Sequence, residues 1–486
     1  MALRARLVAP QPKPRQVWPW HIPEVASIPA LVLFSGERRM EAEMYLSSGY
    51  GLRTAIEGKP NGWTRFGKQA KIWKPGRAKG ILMSKQFGTP FLAATQVFDA
   101  RPIARKWVSI EHTKDAALCL AKRRQIVVTC SGSVGRATIL TAAHDQNIIS
   151  NDLLRIEPQQ EGLWGWLYAY LQAPQVRLMT RGMQYGHIIK HLETSHLEAL
   201  PIPLVNNDTL SDFDAGVSRI FELRNESHSL TLEAEARFEK AIGALKITDW
   251  GEQGFSVRAS KAFLCGRRRF DASVHNPAIA TIRSHLTKNG AGFTTITSAG
   301  YDVWLPKRFR RIPAADGVWL VDSADLAEVN PDLSKRIADG DFGDASKGRV
   351  EAGWLLMARS GQTYGIIGTT ILAGNDLEEY VISDHVMRIR PRNNCKIKPG
   401  YLVTALSHPF FGRPIVKSLA YGSSIPELEV ADVANLEVVR LKPTDESIIA
   451  DLAEASAKAR AEADILEREI AHDASAIIDR FITIPK

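Results

Sequence analysis

The chain has few cysteines and no long apolar run, and these absences exclude several classes of protein. None of its four cysteines forms a C-x-x-C pair, so no structural zinc site can be inferred, and their scatter favours free thiols in a reducing cytoplasm: Cys119, Cys130, Cys265 and Cys395. The longest N-terminal apolar run, residues 28–34, is far shorter than the roughly 20 residues that span a bilayer. We therefore expect neither a signal peptide nor a membrane span, and a cytoplasmic protein.

The motifs of several enzyme classes are also missing. The sequence contains no HExxH, no Walker motif, no Asn/Asp-Pro-Pro-aromatic sequence and no GxGxxG after a predicted strand. The Gly-rich turn SGSVGR (Ser131–Arg136) lacks the P-loop consensus, so we interpret it as a tight turn between strands. The sequence thus predicts no catalysis, no metal and no cofactor in this chain.

Acidic residues are scarce in two zones of this basic protein. A chain of 486 residues with a net charge of +9 is long enough for two or three domains and favours a polyanionic partner. Residues 1–85 hold fifteen Lys/Arg against five Asp/Glu, and residues 251–311 hold eleven against three. Residues 443–473 reverse the balance, with nine acids against three bases. These zones indicate separate surfaces for separate partners.

What the chain does contain is an internal repeat. Stretches in its first half return in the same order in its second half: ERRMEA as RRRFDA, VTCSGSVGR as MARSGQTYG, IISNDLLRIEP as VISDHVMRIRP, GWLYAYLQAP as GYLVTALSHP, and YGHIIKHLETSHLEAL as YGSSIPELEVADVANL. The spacing rises from 230 residues at Glu37 and Arg267 to 236 at Tyr185 and Tyr421, as small loop insertions would make it. Five matches in register predict a duplicated unit of mixed α and β structure.

A long amphipathic stretch follows each unit. Residues 208–245 and 444–482 contain no proline, and their apolar residues recur mostly at steps of three and four. Helices of this length would be roughly 50–60 Å long at 1.5 Å per residue. Such stripes need burial, and we expect the two helices to pair as an antiparallel coiled coil. The alternative is that each helix packs only on its own unit.

Taken together, these motifs resemble the DNA specificity (S) subunit of type I restriction-modification systems. The resemblance is carried by the Ser-Gly turns Ser131–Arg136 and Ser360–Gly365, the ISNDLLRI and ISDHVMRI strands, the Tyr-Gly-x-x-Ile-x-x-Leu segments and the helix after each unit. It implies an α+β fold with two target-recognition domains that each read half of a split DNA site. It also implies no catalysis in this subunit, which docks methyltransferase (modification) subunits and a restriction/translocase subunit. AdoMet, ATP and Mg are expected only on those partners.

The resemblance divides the chain into five segments. We expect an N-terminal extension (1–36), target-recognition domain 1 (37–205), a central long helix (206–250), target-recognition domain 2 (251–442) and a distal long helix (443–486). The family's Pro-rich, Glu-Gln junction into the helix is not present here, and residues 1–36 match no part of the family pattern.

The polar residues of each unit supply the candidates for DNA contact. Phosphate contacts are expected from basic side chains in the two basic zones and at the Gly-rich turn: Arg38, Arg39, Lys85, Arg136, Arg268, Arg269, Lys307 and Arg308. Base readout needs side chains that form paired hydrogen bonds, and the candidates are Gln86, Gln184, Tyr185 and Lys190 in the first unit and Gln362, Tyr364, Tyr421 and Ser423 in the second. Each Arg could instead be a solvated surface residue, and Tyr185 and Tyr421 could pack against their own helix.

Three other functions remain open at this point. The chain could be the DNA-binding subunit of a related antiviral defence complex, an enzyme that acts alone on DNA without a recognisable motif, or a protein-binding scaffold. Cutting or methylation by the purified chain would favour the enzyme, and binding that ignores salt would favour the scaffold.

Overall fold

The computed structural model describes residues 42–76, 80–113, 115–186, 190–247, 254–264, 269–339 and 345–483. The N-terminal extension and three predicted DNA contacts, Arg38, Arg39 and Arg268, lie outside these residues. Unit 1 (residues 42–205) contains helices α1 (Ala42–Leu46), α2 (Ser48–Glu57), α3 (Trp164–Gln172), α4 (Pro174–Met183) and α5 (Thr194–Glu198). Its strands are β1 (Trp63–Arg65), β2 (Ala70–Trp73), β3 (Leu82–Met83), β4 (Thr89–Leu92), β5 (Lys106–Val108), β6 (Ile126–Thr129), β7 (Ala137–Ile139), β8 (Ile148–Ile149), β9 (Leu153–Pro158) and β10 (Pro201–Pro203).

The first long helix, α6 (Asn207–Ile242), leads into unit 2 (residues 254–442). Unit 2 contains helices α7 (Ala259–Leu264), α8 (Pro277–Asn289), α9 (Pro399–Ser407), α10 (Gly412–Ser418) and α11 (Val430–Ala434). Its strands are β11 (Gly292–Thr295), β12 (Tyr301–Trp304), β13 (Pro313–Val321), β14 (Arg336–Ile337), β15 (Leu355–Ala358), β16 (Thr370–Leu372), β17 (Val381–Ile382), β18 (Val386–Pro391) and β19 (Glu437–Arg440). The second long helix, α12 (Pro443–Thr483), follows.

The two units share one topology, which confirms the predicted duplication. The order of the central sheet is β2-β9-β6-β7 in unit 1 and β12-β18-β15-β16 in unit 2. A two-stranded sheet, β1-β10 or β11-β19, brings the start and end of each unit together. In each unit one parallel pair, β4 with β8 and β13 with β17, lies within a second small sheet.

A glycine at the same position of the repeat lets a helix of each unit cross a long helix at backbone contact. A Cβ added to Gly165 of α3 would lie 2.4 Å from the Asp214 backbone N of α6. A Cβ added to Gly400 of α9 would lie 2.2 Å from the Ala450 carbonyl O of α12. These are the first residues of the repeated stretches GWLYAYLQAP and GYLVTALSHP, so the same close packing explains the glycine in both copies.

The long helices form the predicted antiparallel pair. Asn206 caps α6 by accepting a 2.9 Å hydrogen bond from the Thr209 backbone N–H. Gly243, at φ 78°, ends this helix at Ile242, short of the predicted end at residue 250. The Ser227 and Ser456 hydroxyls lie 3.1 Å apart where the two helices cross.

Each long helix contributes one end to the core of unit 1 and the other end to the core of unit 2. The unit 1 core includes the start of α6, at Phe213, and the end of α12, at Ile470 and Ile478. The unit 2 core includes Phe238 near the end of α6 and Ile449 near the start of α12. Because both helices are embedded in both units, they do not form a free strut, and neither unit has a complete core without the other half of the chain.

The two units also touch directly, across an approximate two-fold axis. Asp99 of unit 1 and Glu328 of unit 2 form an isolated antiparallel bridge. The backbone N–H groups of Ala100 and Val329 donate to the carbonyls of Ala327 and Phe98, at 2.8 and 2.7 Å. Asp99 and Glu328 are equivalent positions of the repeat, so this is a contact between matching loops.

The carboxyl group of Asp99 makes this contact sensitive to pH. Burial, and secondarily the charge of Glu328, raises the pKa of Asp99 from 3.8 to about 7, although nearby arginines oppose the shift. The folded protein therefore keeps a proton that the unfolded chain loses near pH 4, and stability falls as pH rises from about 4 to 7.

We expect Asp99→Asn to remove this pH dependence. At pH 8 the free energy of unfolding should rise by about 2 kcal/mol, a value discounted for the solvent that still reaches this half-buried group, and at pH 4 it should be unchanged. Denaturant unfolding at the two pH values measures this. A variant that is equally destabilised at both would contradict it.

In the described parts of the chain, every helix is too short or too polar to cross a bilayer.

Candidate nucleic-acid interface

A buried arginine in one strand of the central sheet, β9 or β18, binds the turn before that strand in each unit. Arg155 is fully buried and donates to the carbonyls of Leu153, Ile149 and Ser150 at 2.7–3.3 Å. Arg388 stands at the equivalent place and donates in the same way to the carbonyls of Ile382, Ser383 and Val386. Burial lowers the pKa of both to about 10.

Neither arginine was among the residues predicted from the sequence, although a signal for both was present in it. Arg155 and Arg388 are the single charged position retained in the strands DLLRI and HVMRI. Five N–H donors let one guanidinium bind several carbonyls of a turn, so its conservation between the copies has a structural cause.

Two loops meet at one end of each central sheet. In unit 2, Ser360 of the Ser-Gly turn pairs with Glu427 of the Tyr-Gly segment, and the Gly361 N–H donates to Pro426 O at 3.1 Å. In unit 1, Ser131 pairs with His191, and the Leu192 N–H donates to Cys130 O at 2.9 Å. We call each pair of loops a loop edge: residues 131–136 with 184–186 and 190–191, and residues 360–365 with 421–427.

The tyrosines at these loop edges brace their own unit. Tyr185 donates to Glu193 Oε1 at 2.5 Å, and Tyr421 donates to Glu429 Oε1. Each Glu is the N-cap residue of the short helix that follows, α5 or α11. The geometry matches the alternative in which both rings pack on their own unit. DNA contact by Tyr185 or Tyr421 stays a prediction.

The unit 2 loop edge brings its predicted readers together. Gln362, Tyr364 and Ser423 are exposed, and the Tyr364 side chain is 69% accessible. The Gln362 amide N–H donates to Ser424 O at 3.0 Å, which fixes one turn against the other. An exposed amide, phenol and hydroxyl on two braced turns can donate to and accept from base edges.

The predicted unit 1 residues are divided between two places. Gln184 and Lys190 are half-buried at the unit 1 loop edge. Lys85 and Gln86 are exposed on the turn between β3 and β4, and the Lys85 ammonium lies 5.3 Å from the ring centroid of Phe410 in unit 2. Lys85 therefore lies beside the second unit and not with the other unit 1 candidates.

Two predicted phosphate contacts have protein partners instead. Arg136 pairs with Glu328 at 2.7 Å and donates to the carbonyls of Val329 and Asn330, so it joins the two units. Arg269 pairs with Asp271 and donates to the carbonyls of Leu419 and Ala420 at 2.6 Å. These bonds give both arginines a structural role, and their contact with DNA stays a prediction.

The four cations between residues 307 and 311 of the second basic zone differ in exposure. Lys307, Arg308 and Arg310 are exposed in the segment before β13. Arg311 is half-buried and pairs with Asp384. The first three can reach a phosphate without breaking a described ion pair.

No protein-family model and no curated protein matches the chain. Solved structures do match. The chain is similar to S subunits of type I restriction-modification systems. The S subunit from M. genitalium matches at 13% identity over 87% of this chain and 96% of its own, with a TM-score of 0.32. The HsdS subunit from Thermoanaerobacter tengcongensis matches at 11% identity over 87% and 97%, with a TM-score of 0.25.

A third match is a chain from a structure on complex assembly of the type I R-M system, at 13% identity over 86% and 97% and a TM-score of 0.26. The support for a function comes from the geometry of this chain.

Proposed function

We propose that this chain is a non-catalytic specificity subunit that reads a bipartite double-stranded DNA target. In this proposal units 1 and 2 are the two target-recognition domains, with the boundaries 37–205 and 251–442. The observation that carries it is that two copies of one fold are held in a fixed relation while the polar residues of their loop edges differ. His191 and Lys190 of the first copy are replaced by Glu427 and Pro426 in the second. Two rigid readers with different tips suit two different half-sites.

The remaining parts of the proposal concern partners. Methyltransferase subunits and a restriction/translocase subunit would dock along the long helices and supply AdoMet, ATP and Mg, in a cytoplasmic complex. The acidic α12 carries exposed carboxylates such as Glu469 and Asp473 that can meet a basic partner surface.

The direct test is a footprint of the full chain, co-expressed with its methyltransferase subunits, on genomic DNA fragments. We expect two short specified blocks separated by an unspecified spacer of fixed length. One contiguous block would contradict the proposal. Cutting or methylation by the chain alone would favour an enzyme instead.

The loop edges supply a sharper test within the same assay. Gln362→Ala should weaken discrimination at one position of one block by about 1–3 kcal/mol and leave the other block unchanged. Gln184→Ala is the matched variant and should affect only the other block. Selection of bound sequences from a random library measures both. If either variant altered both blocks equally, the assignment of one block to each unit would be wrong.

A further inference from the structure

The two places where the units meet are equivalent in fold but differ in charge. The first junction is α4 of unit 1 against residues 328–332 of unit 2. The second junction is α10 of unit 2 against residues 99–105 of unit 1. The helix positions correspond, because Arg177 and Arg181 of α4 match Arg413 and Lys417 of α10 at a constant spacing of 236 residues.

At the first junction the helix cations have carboxylate partners. Arg177 and Arg181 pair with Asp332 at 2.6 and 3.0 Å. Arg136 pairs with Glu328, and the Asn330 amide donates to Gln172 at 2.8 Å. The contact is therefore closed by ion pairs between the units.

At the second junction the matching loop lacks the acid. The segment DARPIAR (99–105) aligns with EVNPDLS (328–334), with the prolines in register, so Ile103 stands where the first junction has Asp332. Arg105 replaces Ser334, which adds a cation, and Arg101 replaces Asn330. One side-chain partner of Arg101 is Glu235 on α6.

Two cations of the second junction, Lys417 and Arg105, lie against the unit 2 loop edge. The Lys417 ammonium donates to the carbonyls of Thr363 and Gly365, at 2.5 and 3.2 Å. The Arg105 guanidinium lies 6.0 Å from the ring centroid of Tyr364, between those two residues in sequence. Arg413 lies one turn before Lys417 on the same face of α10.

The charges of these groups act against one another. Burial, and then repulsion from Arg413 and Arg105, lowers the pKa of Lys417 to about 8. Burial, and then repulsion from Arg101, lowers the pKa of Arg413, and Asp99 is the acid that opposes this. Because the pKa of Asp99 is itself raised to about 7, its carboxyl is partly protonated at neutral pH and gives these cations incomplete compensation.

We infer that the second junction is an anion site formed by Arg105, Arg413 and Lys417, and that it binds a phosphate group. Phosphate supplies the charge that Asp332 supplies at the first junction, and bidentate Arg contacts suit its geometry. Resting on the proposed function, we assign the source as a phosphate of the DNA backbone. The site touches the Ser360–Gly365 turn, so a bound strand would be held beside the unit 2 readers.

Inorganic phosphate tests the site without DNA. Phosphate should raise the melting temperature of the full chain relative to chloride at equal ionic strength. Arg413→Gln should lose most of this rise. This single variant leaves the Lys417 contacts with the turn in place, so it can be measured even if a variant that lacks both cations fails to fold. Ile103→Asp should also lose it, because it restores the missing acid without removing a cation. Lys288→Gln, at an exposed position on α8, should keep the full rise. An equal rise in all four proteins would mean an adventitious ion only and would overturn the inference.

Binding to a duplex identifies the source of the phosphate. For the full chain, the slope of log affinity against log salt should fall in magnitude by about 0.9 in both Arg413→Gln and Ile103→Asp, as expected for one lost phosphate contact. If the site does not touch DNA, the two variants should not share this change of slope. A phosphate response at the junction with unchanged salt slopes would overturn the assignment to DNA and leave a site for a free anion. Failure of the parent chain to bind any duplex would refute the proposed function, while the phosphate titration would still decide whether the site exists.

Discussion

Arg224→Met should lower the free energy of unfolding by about 3–5 kcal/mol. Arg224 lies in the middle of the helix pair and binds Asp464 at 2.6 Å and Glu467 at 2.7 Å, with side chains 9%, 11% and 3% accessible. Tyr168 of unit 1 donates to the other oxygen of Glu467. Burial alone would lower the pKa of Arg224, but the two carboxylates raise it above its usual value. Removing the cation leaves two carboxylates in a buried site without a counter-charge.

The same helices offer a matched control. Arg219 and Glu462 also pair across them, at 2.8 Å, but both side chains are 48% accessible, so Arg219→Met should cost less than about 1 kcal/mol. The triple variant Arg224→Met, Asp464→Asn, Glu467→Gln should recover most of the lost stability, because it removes the buried charges as well. Denaturant unfolding of the full chain measures all three. Equal losses in Arg224→Met and Arg219→Met would show that the buried network is not special.

Gly165→Ala and Gly400→Ala should each destabilise the protein by about 3 kcal/mol. The new methyl group would lie 2.4 or 2.2 Å from the backbone of a long helix, a distance that no side-chain rotation can relieve. The helices would have to move apart, which opens the core packed around them.

Gly51→Ala controls for helix propensity. Gly51 is exposed within α2, and a Cβ there meets no atom within 4 Å, so this variant should be slightly stabilising, by about 0.5–1 kcal/mol. Thermal or denaturant unfolding compares the three variants. If Gly165→Ala were as stable as Gly51→Ala, the close crossing of α3 and α6 would not exist in solution.

Local patterns predicted most of the fold. Both long helices appear where the periodicity of apolar residues indicated them, and the repeated stretches form matching strands and helices in the two units, because each signal depends on neighbours in sequence. An apolar stripe such as Phe213 to Phe238 shows that a helix is buried, but not against what. The exchange of helix ends between the cores therefore could not be predicted.

The candidate site was less predictable for the same reason. An exposed Arg that binds phosphate and a buried Arg that binds a carboxylate look alike in sequence. Arg136 finds Glu328 some 190 residues away, and only the fold brings them together. By contrast, Arg155 and Arg388 could have been recognised as structural, since the repeat retains them while neighbouring polar residues change.

The unequal junctions bear on how such a chain could arise from a smaller ancestor. A protein made of one unit and one helix would need a second copy to fill its core, and symmetry would make both junctions of that homodimer identical. Any acid that closed one would close the other. Fusion of the genes removes this constraint, because Asp332 and Ile103 can then be selected separately. The first junction can then be closed permanently by ion pairs, while the second stays available to a ligand.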